Sequence, residues 1–438
     1  MRGAESIDQQ SFDVIIIGAG VAGAMSAILC SRAGLNTLLL DRQRFPRDKV
    51  CGCCLNSRAI QLLRMAGLGE GLNGLNPSII SSLAIRHAGR HLNLPMPAGV
   101  AVSRRGLDEW LVNEAKTAGC RFIDHVSATV DPLNESDLFE SASATDSVSK
   151  ARIRSLRHNY ATNAVSEFRV VELQSNSSQQ KNVASDLRDL HQSAMTARVL
   201  GRVILVCDGL GHPSLHRQAE FHAPPVSGSR IGLGAVFDRT TGDDWIRPNE
   251  ILMAVGDCGY AGIVEIENHQ LNLAAAVNPH ELNQTKSPLL TLQRVFKSAG
   301  LSMPNRLSEA SIRGTLPLTR SAKRIAAHRL LLLGDATGYV EPFTGEGMAW
   351  ALSAASAVVP IVIRAVRHGW TSDLTSEWPM RFREAVSREQ YVCRILSATL
   401  RRPWLLSPMM TACRLFPTVT RRLVSQINRI PEALEFTG

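Results

Sequence analysis

Val14-Ile15-Ile16-Ile17-Gly18-Ala19-Gly20-Val21-Ala22-Gly23, read on to Asp41, decides the fold. Four consecutive β-branched residues predict a short strand buried on both faces. The glycines that follow have the spacing G-x-G-x-x-G. Gly18 permits the tight turn, Gly20 lets backbone approach a pyrophosphate, and Gly23 lets a helix pack closely on the strand. An Ala-rich helix then runs to about Ala33, Gly34 ends it, and Thr37-Leu38-Leu39-Leu40 forms a second strand. The helix start offers free N–H groups and partial positive charge to phosphates. Asp41, with Arg42 beside it, closes the second strand, where a carboxylate can accept hydrogen bonds from ribose hydroxyls. A Gly-rich turn with no ligand is the alternative, and the strand, helix and acid together weigh against it. The unit predicts a dinucleotide site without separating NAD from FAD.

The separation comes from residues more than 300 positions further on. After the apolar run Leu330–Leu333 stands Gly334-Asp335-Ala336-Thr337-Gly338-Tyr339-Val340-Glu341-Pro342-Phe343-Thr344-Gly345-Glu346-Gly347. This segment resembles the flavoprotein group that contains p-hydroxybenzoate hydroxylase-like monooxygenases and geranylgeranyl reductases. The resemblance covers most of the chain. It implies an α/β fold: an FAD-binding Rossmann-like domain (three-layer ββα), an inserted, mainly antiparallel β-sheet substrate domain, and a C-terminal helical region. It also implies that Asp335 binds the ribityl chain of FAD and that Pro342, Gly345, Glu346 and Gly347 line the isoalloxazine ring. A helix beginning near Gly347 would point its positive end at that ring and stabilise anionic reduced flavin.

Other segments carry the same resemblance. Arg104-Arg105-Gly106-Leu107-Asp108 looks like the family's Arg-x-x-Leu-Asp helix start, which implies that Arg104 contacts the flavin or its phosphates and that Asp108 is structural. Cys207-Asp208-Gly209 looks like its Asp-Gly motif near the pyrophosphate, although Ser214 and Arg217 follow two residues late. That departure argues against importing a hydroxylase's way of handling NAD(P)H. Pro46-Arg47-Asp48-Lys49-Val50-Cys51-Gly52-Cys53-Cys54-Leu55 is similar to the Pro-Cys-Gly-x-x-Leu segment of the geranylgeranyl reductase-like branch. Cys51 is therefore expected beside the ring, tuning the flavin or donating a proton, with Arg47 and Lys49 able to lower its pKa. A small, well-packed thiol is the plainer alternative. Tyr260, in Gly259-Tyr260-Ala261-Gly262, is the candidate substrate-pocket residue. No Trp-x-Trp-x-Ile-Pro segment supports a halogenase.

The implied activity is an FAD-dependent oxidoreductase for a hydrophobic or aromatic small molecule, with NAD(P)H as expected electron donor. Hydroxylation with oxygen and reduction of a C=C bond both remain open. The contrasting expectation is a non-enzymatic prenyl- or lipid-binding escort on the same fold. Such relatives tend to lose the glycines or acids that Gly18, Gly20, Gly23, Asp41 and Asp335 supply here.

The domain division expected is 1–75, 101–228 and 316–370 for the FAD domain, 76–100 and 229–315 for the substrate domain, and 371–438 for the helical end. A Ser-, Asn- and Gln-rich stretch, about 134–195, predicts surface insertions. Of the net charge of +9, ten arginines against Glu384 and Glu389 place +8 between Arg381 and Ile430. That basic end could dock peripherally on an anionic membrane, with no role in nucleic-acid binding expected; a solvated face is the alternative. No apolar run reads as a membrane span and no signal-peptide core is seen, so a cytoplasmic chain with reduced cysteines is expected. The Cys51, Cys53 and Cys54 spacing does not suit zinc, and no metal site is predicted.

Overall fold

The computed structural model describes residues 7–133, 167–176, 196–341, 345–387, 390, 391, 393, 394, 402–416 and 418. Strand β1 is Ser11–Ile17, helix α1 is Val21–Arg32 and strand β2 is Thr37–Leu40. β1 lies between β2 and the strand Thr196–Val206, parallel to both. Leu330–Leu332 and Arg121–Ile123 extend the sheet in parallel on either side.

The run Val14–Ile17 is continuous, not alternating, because both faces of β1 are covered. Val14 and Ile16 pack with α1 and with the helices Arg104–Thr117 and Gly347–His368. Ile15 and Ile17 pack against a small antiparallel sheet that includes Val126–Val130 and Arg169–Ser175. Truncating fully buried Ile16 to Ala would cost about 2–5 kcal/mol. The strand Thr196–Val206 joins the layers: its first half pairs antiparallel with Arg169–Ser175 and its second half parallel with β1. The result is three layers, helix on parallel sheet on antiparallel sheet. Of the Ser-rich stretch, 134–166 and 177–195 lie outside the described residues.

A second, eight-stranded sheet runs Arg313–Pro317, Ile231–Asp238, Gln270–Val277, Gly259–Glu265, Glu250–Gly256, Ser78–His87, Arg90–Ala101, Cys54–Leu55. Its pairs are antiparallel except that Glu250–Gly256 runs parallel to Ser78–His87. Strand alternation splits its residues between two cores. Leu252 and Ala254 face the helix Pro288–Ala299, while Ile251, Met253 and Val255 join Tyr260 and Val264 on the other face. Leu406 and Met410 of the helix Pro403–Leu415 cover part of that second face. Pro403 sits in this helix's first turn, where its missing N–H costs nothing.

Gly347–His368 is long and apolar enough to cross a membrane, yet 72% of its most apolar window is buried inside the protein. Packing against α1 accounts for its composition.

Candidate functional site

The parallel sheet, α1 and the second sheet enclose two confluent cavities with about 2100 Å³ and 1260 Å³ of empty space, counting their open mouths. Gly20, Lys49, Cys207, Gly209, Asp335 and Tyr339 border both, so they form one elongated cleft.

The larger, more polar end holds Gly18, Gly20, Asp41, Arg42, Asp208 and Gly209. The glycines differ in what they do. A Cβ on Gly23 would lie 1.9 Å from the Gly18 carbonyl oxygen, so Gly23 lets α1 meet its own turn. Gly18 has φ +103°, and its Cβ would lie 2.3 Å from the Cys207 carbonyl oxygen. Gly20 is unlike both: its Cβ would stand in the cleft, no nearer than 3.6 Å to the Arg104 guanidinium. The space there belongs to a ligand, and the α1 N-terminus has no side-chain cap to occupy its free N–H groups. Asp41 is fixed from both sides. One oxygen accepts from Ala19 N at 2.9 Å and the other from Gln43 N at 2.9 Å, and Arg47 stands 3.4 Å away. Oδ1, which accepts only from Gln43, retains a lone pair for a ribose hydroxyl.

Asp208 accepts from both Ser214 N (2.9 Å) and Ser214 Oγ (2.7 Å). The serine that arrives late in sequence therefore still reaches the Asp-Gly turn. Burial pushes Asp208 up to about 6, opposed by those two bonds, and its second oxygen is buried without a hydrogen bond. Arg217 pairs with Asp131 (3.2 Å) and Glu172 (2.8 Å) at the surface.

The inner end is lined by Ile251, Met253, Ile263, Val264 and Met348, with Gly345 and Gly347 at the start of the long helix. Cys51, Cys53 and Cys54 also border it. Arg104, 6% exposed, grips Asp108 with two bonds of 2.9 and 2.7 Å, and Asp108 also meets Arg47 at 3.1 Å. Burial alone would favour the neutral form of Arg104, but Asp108 and Cys51 hold it charged. Cys51 stands beside Cys53 and the charged Arg104 guanidinium. The Cys53 thiol, helped by Arg104, brings Cys51 down to about 5 against the opposing cost of burial. Cys53 goes the other way: the bond to Cys51 and burial raise it well above a free thiol. The two shifts run in opposite directions, so the surroundings favour ionising Cys51 before Cys53.

Tyr260 borders the same chamber, under the Arg230 guanidinium at 5.2 Å. Arg230 meets Glu341 at 3.7 Å, and Thr319 donates to Glu341 at 3.2 Å. Tyr339 is pushed well above the usual tyrosine range by burial and then by Asp335, so it keeps its proton. Asp335 pairs with Lys49 at 3.3 Å across the middle of the cleft.

The structure thus gathers Gly18, Gly20, Asp41, Arg42, Cys51, Arg104, Asp208, Gly209, Tyr260, Asp335, Gly345 and Gly347 around one cleft. Glu346 differs from expectation. It precedes the first residue of the long helix, its side chain is 2% exposed, and it accepts from the Cys393 thiol instead of lining the chamber. Pro342 lies outside the described residues. Sequence reading missed Cys53 as a functional partner and missed the Arg230–Glu341 pair. Only the C-x-C spacing hinted at the first. No group of three or more metal-binding side chains stands together among the described residues.

The family described as FAD binding domain matches residues 11–375, which include the whole cleft-forming core. The chain belongs to this family of FAD-dependent oxidoreductases. The open cradle at Gly20, the positive helix terminus and Asp41 suit FAD's pyrophosphate and ribose. The flavoprotein is 25% identical to a menaquinone reductase of Mycobacterium tuberculosis over 91% of this chain and 86% of that one. It is 22% identical to a squalene monooxygenase of Candida glabrata over 78% and 69%. In fold it resembles a p-nitrophenol 4-monooxygenase from Pseudomonas putida DLL-E4, with a TM-score of 0.69 at 12% identity, covering 96% and 99% of the two chains.

Proposed function

We propose that the flavoprotein reduces a C=C bond in a hydrophobic substrate, with electrons that enter FAD from NAD(P)H. The observation that carries this reading is the place of Cys51, whose thiol Cys53 and Arg104 favour in its ionised form, in the wall of a largely apolar chamber. Oxidants derived from oxygen convert an accessible thiolate to sulfenic and higher acids. A chamber that holds one is better suited to giving electrons to an organic acceptor than to activating oxygen. The menaquinone reductase among the relatives supports the same direction, as does the Cys51 segment's likeness to the geranylgeranyl reductase-like branch.

Bound FAD would supply the hydride. The chain's own residues divide the remaining work. Gly18 to Gly23 and Asp41 hold the dinucleotide end. Ile251, Met253, Val264 and Met348 take up hydrocarbon and exclude water. Cys53 and Tyr339 retain their protons beside the chamber, and either can complete saturation of the bond. Gly18, Gly20, Gly23, Asp41 and Asp335 all stand in place, which leaves the escort alternative without support.

A lipidic substrate fits a protein that approaches a membrane. Leu415 and Phe416 are 68% and 61% exposed at the end of the helix Pro403–Leu415, beside Arg414. We take this end as the membrane-facing one.

The test is turnover without oxygen. Holoenzyme reduced by NADH or NADPH under argon should saturate a polyprenyl or quinone acceptor. Hydroxylation of a phenol or quinol that requires oxygen, with no anaerobic turnover of any alkene, would overturn the reading.

A further inference from the structure

We propose that Cys51-Gly52-Cys53 is a redox-active dithiol, closed to a disulfide by a hydroperoxide that enters the cleft and reopened by a thiol reductant. The proposal stands on the loop's geometry and holds whichever reaction the chamber performs.

Both cysteines border the chamber, so a small oxidant in the cleft reaches them. Cys53 adopts φ +60°, the left-handed region that disfavours a residue with a Cβ. The cost is of order 1–3 kcal/mol and is borne only where surrounding contacts impose it. Here they do: Val102 N donates to the Cys53 carbonyl at 3.0 Å, and Asn272 Nδ2 donates to the Cys51 carbonyl at 3.0 Å. The turn sets the Cys53 thiol beside the Cys51 thiol. The N-terminal end of the helix that begins at Arg104 stands near the Cys53 sulfur. Two cysteines one residue apart on the wall of one cavity, with surroundings that favour ionising the first, are the arrangement that thiol oxidation needs.

The chemistry balances with the peroxide as oxidant. The Cys51 thiolate attacks the O–O bond; sulfur gains an OH, and the other oxygen leaves as hydroxide or alkoxide. The Cys53 sulfur then displaces that OH from Cys51. The S–S bond forms, the S–O bond breaks, and the Cys53 proton departs with the hydroxide as water. Two electrons pass from the sulfur pair to the peroxide. A disulfide spanning one residue is strained and is readily reduced again. Closing it removes the thiolate from Arg104 and reshapes the chamber wall, which stops turnover when peroxide accumulates.

The reactivity follows from ionisation. A free thiol of pKa about 8.5 is ~3% thiolate at pH 7, so a lowered pKa raises the reactive fraction of Cys51 while its weaker basicity offsets much of that gain per thiolate.

The experiment treats FAD-loaded protein with one equivalent of hydrogen peroxide, then alkylates and maps thiols by mass spectrometry. The expected result is loss of two thiols, both in the peptide that holds Cys51 and Cys53, with recovery in dithiothreitol. Flavin absorbance and retention are followed in parallel, so loss of cofactor is distinguished from closure of the pair. In Cys53→Ser the expected product is a sulfenic acid on Cys51 that a cyclic diketone traps. Retention of both thiols in the wild-type protein, or loss of a different pair, overturns the proposal without reference to any variant.

Discussion

Gly20→Ala separates a glycine kept for a ligand from one kept for the fold. Gly20 has φ −78° and ψ −175°, which alanine adopts freely. The added methyl meets no protein atom closer than 3.6 Å. Alanine is a poorer helix N-cap than glycine, a loss of roughly 0.5–1 kcal/mol. It also restricts the unfolded chain, a gain of roughly 0.4–1 kcal/mol. These cancel, so thermal unfolding of the FAD-free variant should match wild type to within about 1 kcal/mol. The methyl nevertheless stands where the pyrophosphate approaches α1. A displacement that breaks one charge-assisted bond should weaken FAD by about 1.5–3 kcal/mol, roughly 10- to 150-fold in Kd. Gly23→Ala is the counterpart. Its methyl would lie 1.9 Å from the Gly18 carbonyl oxygen and 3.3 Å from the Cys207 Cβ. It should destabilise the FAD-free chain by at least about 1–3 kcal/mol, because α1 must move off β1. Fluorescence titration of apoprotein with FAD, beside scanning calorimetry, reads both quantities. A Gly20→Ala protein that binds FAD as tightly as wild type would refute the placement of the pyrophosphate at this turn.

Three further outcomes are expected. His212 is 2% exposed, neither ring nitrogen has a hydrogen-bond partner, and burial, then Arg320 and His222, lowers it to about 4. The unfolded chain takes up that proton near pH 6.5, so stability falls by roughly 2–3 kcal/mol as pH drops from about 6.5 to 4. His212→Asn, which tolerates the left-handed φ of 47°, should flatten that limb of a urea-unfolding series; an unchanged pH slope refutes the assignment. Cys53→Ala removes the thiol beside Cys51, so iodoacetamide should label Cys51 several-fold more slowly at pH 6 and the midpoint of labelling should move to higher pH; an unmoved midpoint would mean that the Cys53 thiol does not lower Cys51. Replacing exposed Leu415 and Phe416 by Glu should remove roughly 1–2 kcal/mol of interfacial burial each and abolish co-sedimentation with anionic liposomes, while equal sedimentation of variant and wild type counts against membrane docking.

The sequence by itself determined the β1–turn–α1–β2 unit and its partner at Asp335. Those features are local. A strand buried on both faces must be apolar at every position, a turn that approaches its neighbours within a few ångströms must be glycine, and both constraints are written in consecutive residues. Arg104 and Asp108 stood out through the segment's resemblance to the family's Arg-x-x-Leu-Asp helix start, and the structure then paired them with each other across one helical turn. What only the tertiary structure decided depends on chain segments far apart in sequence. It set Arg104 against Cys51, brought Ser214 back to Asp208, joined Arg230 to Glu341 over Tyr260, and laid the helix Pro403–Leu415 across the second sheet. It also turned Glu346 away from the chamber toward Cys393, since the direction a side chain takes at a helix start follows from what packs around it. Cys53 shows the limit most clearly. Its left-handed backbone is anchored by hydrogen bonds to Val102 and, through Cys51, to Asn272, and that turn sets an ordinary-looking C-x-C on the wall of the chamber.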